Sequence, residues 1–423
     1  MKRLRLVLLP ALLLVLALVA FPAAPVGAAN CTFVLGFKTL HDLIPGIVGN
    51  CVTDEYHDGV GNGYQQTVNG LMQWRKSDNW TAFTNGYQTW VNGPFGVRQR
   101  LNTQRFAWEA NREGLPVVPG SGTPPSLYYD DRSNAEALML SWVNALNQKQ
   151  YLRAYSYWEP GAAGLPPFPQ FEQGYQNTAT TQISFGQMTE DAGAGQFYTN
   201  VPVILTSQLT NGTFQTFVGC YTLHLANPGI QGVPFQSLGI RSANVQQVAA
   251  GQDPSALLGA ICAPAGSPVA PLPVYAPGDI SATRYLDDRS DGVQVLRSLF
   301  NAVNRKEYAR AYGYWEPGAI GLPPFPQFEQ GYQNTQSVQL TTGAVKTDVG
   351  AGQTYYRVPV TLVAQTTGGQ QTFVGCYVLH LGSPYAQATP PYQPIGIRQA
   401  KLTQVANGTN TAPLMATACQ GLP

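Results

Sequence analysis

Residues Trp158–Thr178 read WEPGAAGLPPFPQFEQGYQNT, and residues Trp315–Thr335 read WEPGAIGLPPFPQFEQGYQNT. Ala163 against Ile320 is their only difference. The register extends far beyond this stretch: Asp131 answers to Asp288, Asp191 to Asp348 and Cys262 to Cys419, each 157 positions on. Solenoid repeats run to roughly 20–50 residues, so a period this long is that of a whole domain. The chain past residue 128 therefore reads as one unit, 129–262, followed by its duplicate, 284–423.

Upstream of the duplicated stretch, apolar residues recur at Leu138, Met139, Trp142, Val143 and Leu146, matched by Val295, Leu296, Leu299, Phe300 and Val303. This 3.6-residue spacing predicts an amphipathic helix with one buried face. Asp131 or Ser133 is placed to cap it, with Glu136 completing a capping box, while in the second copy Asp288 or Ser290 caps and Val293 replaces the glutamate. A second short helix is expected through Tyr151, Ala154, Tyr155 and Trp158. Beyond Pro160 and Pro317 the helical pattern stops, and a proline-rich loop leads through FEQGYQNT into strands.

Downstream, Val201, Val203 and Leu205 share one face, as do Val358, Val360 and Leu362. Pro202 and Pro359 demand an edge or a bulge there. Phe217, Tyr221, Leu223 and Leu225 alternate, and a last strand starts at Gly239-Ile240-Arg241. Helices first and antiparallel strands afterwards give an α+β fold with helices on one face of a curved sheet.

The N-terminal residues have a different character. Lys2, Arg3 and Arg5 precede an apolar run, Val7–Phe21, and small residues end at Ala28-Ala29. That pattern is a secretory signal peptide, residues 1–29, and its apolar run is short for a membrane span of about 20 residues. Residues 30–112 follow as a small β-rich module, with a short helix near Phe37–Ile44 and strands at Tyr64–Thr67, Leu71–Trp74 and Trp80–Phe83. Residues 113–128 and 263–283 are rich in proline and glycine and read as spacers between three bodies.

Charge and cysteine narrow the class. The formal charge is +1, or −2 without the first 29 residues (21 basic against 23 acidic), which argues against nucleic acid. The duplication pairs Cys220 with Cys262 and Cys376 with Cys419, leaving Cys31 with Cys51. Such bridges close in an oxidising compartment. No cofactor motif, metal spacing, Ser–His–Asp order or phosphate-cradling loop is present, so no cofactor is expected.

Two resemblances follow from these residues. Thr53-Asp54-Glu55, the glycines about Val60, Tyr64, and Asn69-Gly70-Leu71 leading to Trp74 resemble one unit of the LGFP repeat of exported bacterial cell-wall proteins. The helix ending Asn-x-Lys-x-Tyr-x-x-Ala-Tyr-x-Tyr-Trp, with its loop and long strands, resembles the nuclear transport factor two-like (cystatin-like cone) superfamily, in both copies. That superfamily implies either isomerase and dehydratase chemistry or non-catalytic exported modules.

Candidate ligand-binding residues at the mouth of each unit are Trp158, Glu172 and Tyr175, and Trp315, Glu329 and Tyr332. The two glutamates pair with the two tyrosines as acid and donor, or else lock the loop to the sheet. Trp74, Trp80 and Trp90, with Tyr64 and Tyr87, either stack on sugar rings or fill the core of a small unit. Asp54, Glu55, His57 and Asp58 read as a solvated turn. The expectation is an exported, non-enzymatic binding or spacer protein of the bacterial surface or wall, partnered by a wall glycan or a small apolar ligand. An isomerase- or dehydratase-type enzyme is the alternative.

Overall fold

A computed structural model describes residues 31–59, 61–76, 79–85, 88–93, 96–101, 106, 128–249, 252, 254–258, 260–262, 266–270, 273, 275–276 and 278–422. The expected leader 1–29, the spacer 113–127, Gly86, Tyr87 and Arg105 lie outside the described residues. The fold is α+β, with strand well in excess of helix.

Two helices, α1 (Leu35–Leu43) and α2 (Pro45–Val48), precede a six-stranded antiparallel meander. Its strands are β1 (Tyr56–His57), β2 (Gly63–Thr67), β3 (Gly70–Arg75), β4 (Trp80–Thr84), β5 (Gln88–Gly93) and β6 (Gly96–Leu101). Phe37, Leu40 and Val48 pack on Met72, Phe83 and Trp90, and Cys31 is bonded to Cys51 across the base. The sequence foresaw β2–β4. β6 carries Arg98 and Arg100, and Arg98 is buried.

The first copy runs α3 (Ala135–Asn147), α4 (Tyr151–Tyr155), β7 (Trp158–Ala163), α5 (Phe168–Tyr175), β8 (Thr178–Phe185), β9 (Thr189–Gly193), β10 (Gln196–Leu209), β11 (Phe214–Ala226), β12 (Gly239–Gln247) and α6 (Pro254–Leu258). The segment between the copies adds β13 (Ser267–Pro268), which pairs with β9. The second copy repeats the order as α7 (Gly292–Asn304), α8 (Tyr308–Tyr312), β14 (Trp315–Ile320), α9 (Phe325–Gly331), β15 (Thr335–Thr342), β16 (Lys346–Gly350), β17 (Gln353–Thr366), β18 (Gly369–Gly382), β19 (Gly396–Val405) and α10 (Ala412–Thr417). Cys220–Cys262 and Cys376–Cys419 close within their own copies. Among the described residues no helix is long and apolar enough to cross a membrane.

In each copy the long helix lies on the sheet face carrying Val201, Val203, Tyr221 and Leu223, or Val358, Val360, Tyr377 and Leu379. The prolines find their place between two short neighbours. β9 pairs with β10 only as far as Asn200 and β8 takes over from Val203, so Pro202 needs no N–H partner on that side. Pro359 sits in the same gap between β16 and β15.

Several expectations are corrected. The caps are Asn134, whose side chain accepts from the Ala137 N–H, and Asp291, which accepts from Val293 and Gln294. Ser133 and Glu136 form no capping box, because Glu136 is turned to Arg98 of β6 at 3.2 Å. The proline stretch is not all loop: Trp158–Ala163 is a strand parallel to β12, and Phe168–Tyr175 is a helix. A proline within the first helical turn suits it, since no N–H partner exists there.

The two copies are also not beads on a spacer. Asp131 and Asp288 form an antiparallel bridge between them. The Arg132 N–H donates to the Asp287 carbonyl at 2.7 Å and the Arg289 N–H to the Asp130 carbonyl at 2.6 Å. Ser290 Oγ accepts from Asp130 N at 3.0 Å, and Ser133 Oγ accepts from Asp287 N at 2.8 Å. This reciprocity is that of a twofold, isologous interface built inside one chain. Tyr392, from the loop before β19, reaches across to the Tyr128 hydroxyl at 3.1 Å.

Behind the bridge lie buried guanidinium groups. Arg153 donates to Gln150 Oε1 at 2.7 Å, the Tyr129 carbonyl at 2.6 Å and Asn144 Oδ1 at 2.7 Å. Arg310 repeats the set with Glu307, Leu286 and Asn301. The Asp-Asp-Arg-Ser pairs, read from sequence as helix starts, are thus the joint of the molecule.

Candidate functional site

The duplicated stretch supplies the outer surface at one end of each copy. Its inward side is aromatic. Phe171 is buried and meets Tyr155 edge-on at 5.3 Å and Tyr175 at 5.0 Å. Trp158 lies 6.1 Å from Tyr221, which in turn lies 5.4 Å from Trp142. The second copy keeps the arrangement: Phe328 is 5.2 Å from Tyr312, and Trp315 is 6.1 Å from Tyr377. Burial pushes the Tyr175 and Tyr332 hydroxyls up to about 12.

Polar ties fasten the ends. The Tyr155 hydroxyl donates to the Pro166 carbonyl at 3.2 Å, and that of Tyr312 to Pro323 at 3.1 Å. Lys149 Nζ donates to the Ala179 carbonyl at 2.7 Å, and Lys306 Nζ to that of Gln336 at 3.0 Å. Gly161 and Gly164 take φ of 76° and 80°, as Gly318 and Gly321 do at 77°, and these turns require a residue without Cβ.

The outward side differs in kind. Gln170, Gln173, Gln176 and Asn177 are exposed, as are Gln327, Gln330, Gln333 and Asn334. No side chain of these eight forms a hydrogen bond among the described residues. Glu172 is half-exposed and Glu329 exposed, and neither bonds to its neighbouring tyrosine. The expected acid–donor pairing is therefore absent from the geometry: Tyr175 and Tyr332 turn into the aromatic cluster while the carboxylates stay outside it. The expected lock of Glu and Gln onto loop backbone is absent too.

Glu159 and Glu316, next to the candidate tryptophans, each turn to the sheet face of His224 or His380. Glu159 meets His224 Nδ1 at 2.5 Å and Arg241 at 3.2 Å, while His224 Nε2 faces Gln196 Oε1 at 2.6 Å. The imidazole stacks on Tyr198 at 4.8 Å. Glu316, His380, Arg398, Gln353 and Tyr355 repeat the cluster. A Cβ on Gly239 would stand 3.0 Å from Glu159 Cγ, and one on Gly396 2.7 Å from Glu316 Cγ, so both glycines make room for the tie. The cluster holds β7 and β14 to the sheet. Its signal in the sequence was the shared parity of His224 and Cys220, whose partner across the fold could not be read.

The tryptophans of the N-terminal module do not share a platform. Trp90 is buried over Phe83, and Trp74 packs on the same side with its Nε1 donating to Asn79 at 2.8 Å. Trp80 points to the other face, into a small hollow of about 80 Å³ beside Arg100. A groove of about 1770 Å³ separates this module from the first copy and is lined by Trp90, Val97, Arg98, Glu136, Phe185 and Met188, among others. Asp58 accepts from Asn62 and Tyr64, as a turn carboxylate does. No group of three or more metal-ligating side chains occurs among the described residues.

Compared with models of known protein families, the chain matches none, and no curated protein is significantly similar to it in sequence.

Proposed function

We propose that the protein is an exported, non-enzymatic binding and spacing protein of the bacterial cell surface or wall. In this reading two nuclear transport factor two-like cones follow an LGFP-like module. Three disulfides fit an oxidising compartment. The ligand surfaces are the two copies of the Trp158–Thr178 stretch.

One observation carries the reading. The copies have diverged along their buried long helices, while their sheet cores and one exposed surface were kept. The buried helices α3 and α7 share Ser141/Ser298, Asn144/Asn301, Ala145/Ala302 and Asn147/Asn304 and differ at every other position. The three polar pairs among these have visible duties. Ser141 Oγ accepts from the Asp131 N–H at 2.8 Å, Asn144 holds Arg153, and Asn147 brackets Thr181 at 2.7 and 2.9 Å. The exposed carboxamides of the stretch have none, yet all are retained. An exposed residue kept without a bond to the protein is kept for something outside it.

Against the isomerase or dehydratase alternative stands the placement of the acids: Glu172 and Glu329 lie outside the aromatic clusters, Glu159 and Glu316 are tied to histidine, and the buried aspartates serve the joint. The test is sedimentation of the mature full chain with purified bacterial cell walls. Retention is expected, weakened when Gln170, Gln173, Gln327 and Gln330 are all changed to Ala. A chain that stays wholly in the supernatant overturns the reading.

A further inference from the structure

The chemistry of the retained surface narrows its ligand. Gln170 and Gln173 are one turn apart along α5 and Asn177 stands in the turn just after it, so the exposed carboxamides are grouped on the solvent side. Phe168, Phe171 and Tyr175 back them from the other side. Each carboxamide offers two N–H donors and a carbonyl acceptor, which matches vicinal hydroxyls. Cationic groups are partly engaged: Lys149 and Lys306 donate to backbone carbonyls, and Arg241 and Arg398 face Glu159 and Glu316. The stretch itself contains no lysine or arginine, and its unpaired charge is the carboxylate of Glu172 or Glu329. Its own side chains therefore favour a hydroxyl-rich neutral ligand over a polyanion.

The second element is the joint. Ser156 and Gly313 give their carbonyls to Arg132 and Arg289, both at 3.3 Å, two residues before each stretch begins. Both surfaces therefore start from the same buried, reciprocal interface, and their spacing is fixed by it. Two equal sites at a fixed spacing suit a ligand that is itself repetitive.

Resting on the binding reading above, we infer that the two surfaces grip one neutral polysaccharide chain at two points. A linked second contact is intramolecular, and its avidity exceeds that of either site alone. Oligosaccharides too short to reach both surfaces bind each site independently.

The experiment uses the mature full chain, residues 30–423, in affinity electrophoresis through gels containing dextran, galactan or mannan, with heparin as the anionic control and a proline-rich peptide as a competitor. At least one neutral polysaccharide is expected to retard the protein. Gln170→Ala with Gln173→Ala, or Gln327→Ala with Gln330→Ala, is expected to weaken retardation at least tenfold, and all four to abolish it. A tetrasaccharide of the same polymer should bind the wild type at two sites per chain and either double variant at one, with unchanged site affinity. These exposed changes are fold-neutral, and unchanged thermal unfolding verifies that.

Retardation by heparin alone, competition by the peptide, or no retardation in any neutral gel overturns the ligand class. A twofold loss in each double variant overturns two-point binding. If cell walls retain the wild type and lose the quadruple variant while no neutral gel retards the protein, this inference fails and the surface-binding reading stands; if they retain neither protein, or both equally, the assignment of these surfaces fails.

Discussion

The buried carboxylates at the joint make stability fall as pH rises, against the usual trend of acid denaturation. Asp131 is buried, and that burial raises its carboxyl from 3.8 to about 6, with its hydrogen bonds to Ser133 opposing. Asp288, which keeps some solvent contact, is raised well above the carboxylate range by burial and by the charge of Asp131. The folded state thus binds protons that the unfolded chain releases. The contribution of Asp131 is fully present below about pH 4 and is lost as pH rises through about 6. A shift of about two units corresponds to about 3 kcal/mol. Replacing Asp131 with Asn keeps an oxygen for the Ser133 N–H, which lies at 2.8 Å, and removes the titration. Urea unfolding of wild type and Asp131→Asn from pH 4 to 8, disulfides intact, isolates the effect as a difference. The variant should gain about 2.5 kcal/mol on the wild type across that range, most of it between pH 4 and 6. A difference that stays flat, or runs the other way, refutes the reasoning. Asp287 provides an internal contrast. Burial alone would raise it, but the guanidinium groups of Arg289, Arg310 and Arg132 hold it below its ordinary value.

Two further outcomes follow from the same bonds. Arg153→Lys should cost about 3 kcal/mol in urea unfolding, because one ammonium cannot reach Gln150, Tyr129 and Asn144 together and leaves buried acceptors unpaired; a cost under 1 kcal/mol contradicts the network. His224→Ala should speed hydrogen exchange of the Trp158–Ala163 amides by about tenfold, the equivalent of roughly 1.4 kcal/mol, through loss of the Glu159 tie, while the second copy exchanges as before.

Much of the fold was legible because duplication let each pattern be read twice. The 3.6-residue spacing about Leu138 and Val295 gave the long helices, and the copy-matched cysteines gave the bridges. What escaped has a common physical cause: it depends on partners distant in the chain. The stretch after Pro160 read as loop since its prolines mask a short helix whose apolar side is only Phe168, Phe171 and Tyr175. Asp131 and Asp288 looked like helix caps because their true partners are each other's segments, which no local periodicity records. Glu136 completed a capping motif on paper, and a strand from another module claimed it instead. Trp74, Trp80 and Trp90 could be named but not placed, since a meander alternates its faces and Trp80 falls out of phase with the other two.

The contrast between the copies then bears on function. The N-terminal module docks on the first copy through Arg98, which pairs with Glu136 and lies 5.4 Å over the Phe185 ring, while Gly96 packs on Ser184. At the matching positions the second copy has Val293, Thr342 and Thr341, which offer neither the carboxylate nor the ring. Likewise β13 covers the edge of β9, where Glu190 and Ala192 stand, whereas Thr347 and Val349 occupy the matching exposed strand β16. Where the two copies meet different neighbours, their residues have parted. Residues immediately after the stretch have parted as well, Ala179 against Gln336 and Thr180 against Ser337. Drift has therefore been free to act on this surface. That Gln170, Gln173, Gln176 and Asn177 withstood it in both copies, without a bond to their own protein, is what two surfaces facing the same partner would leave behind.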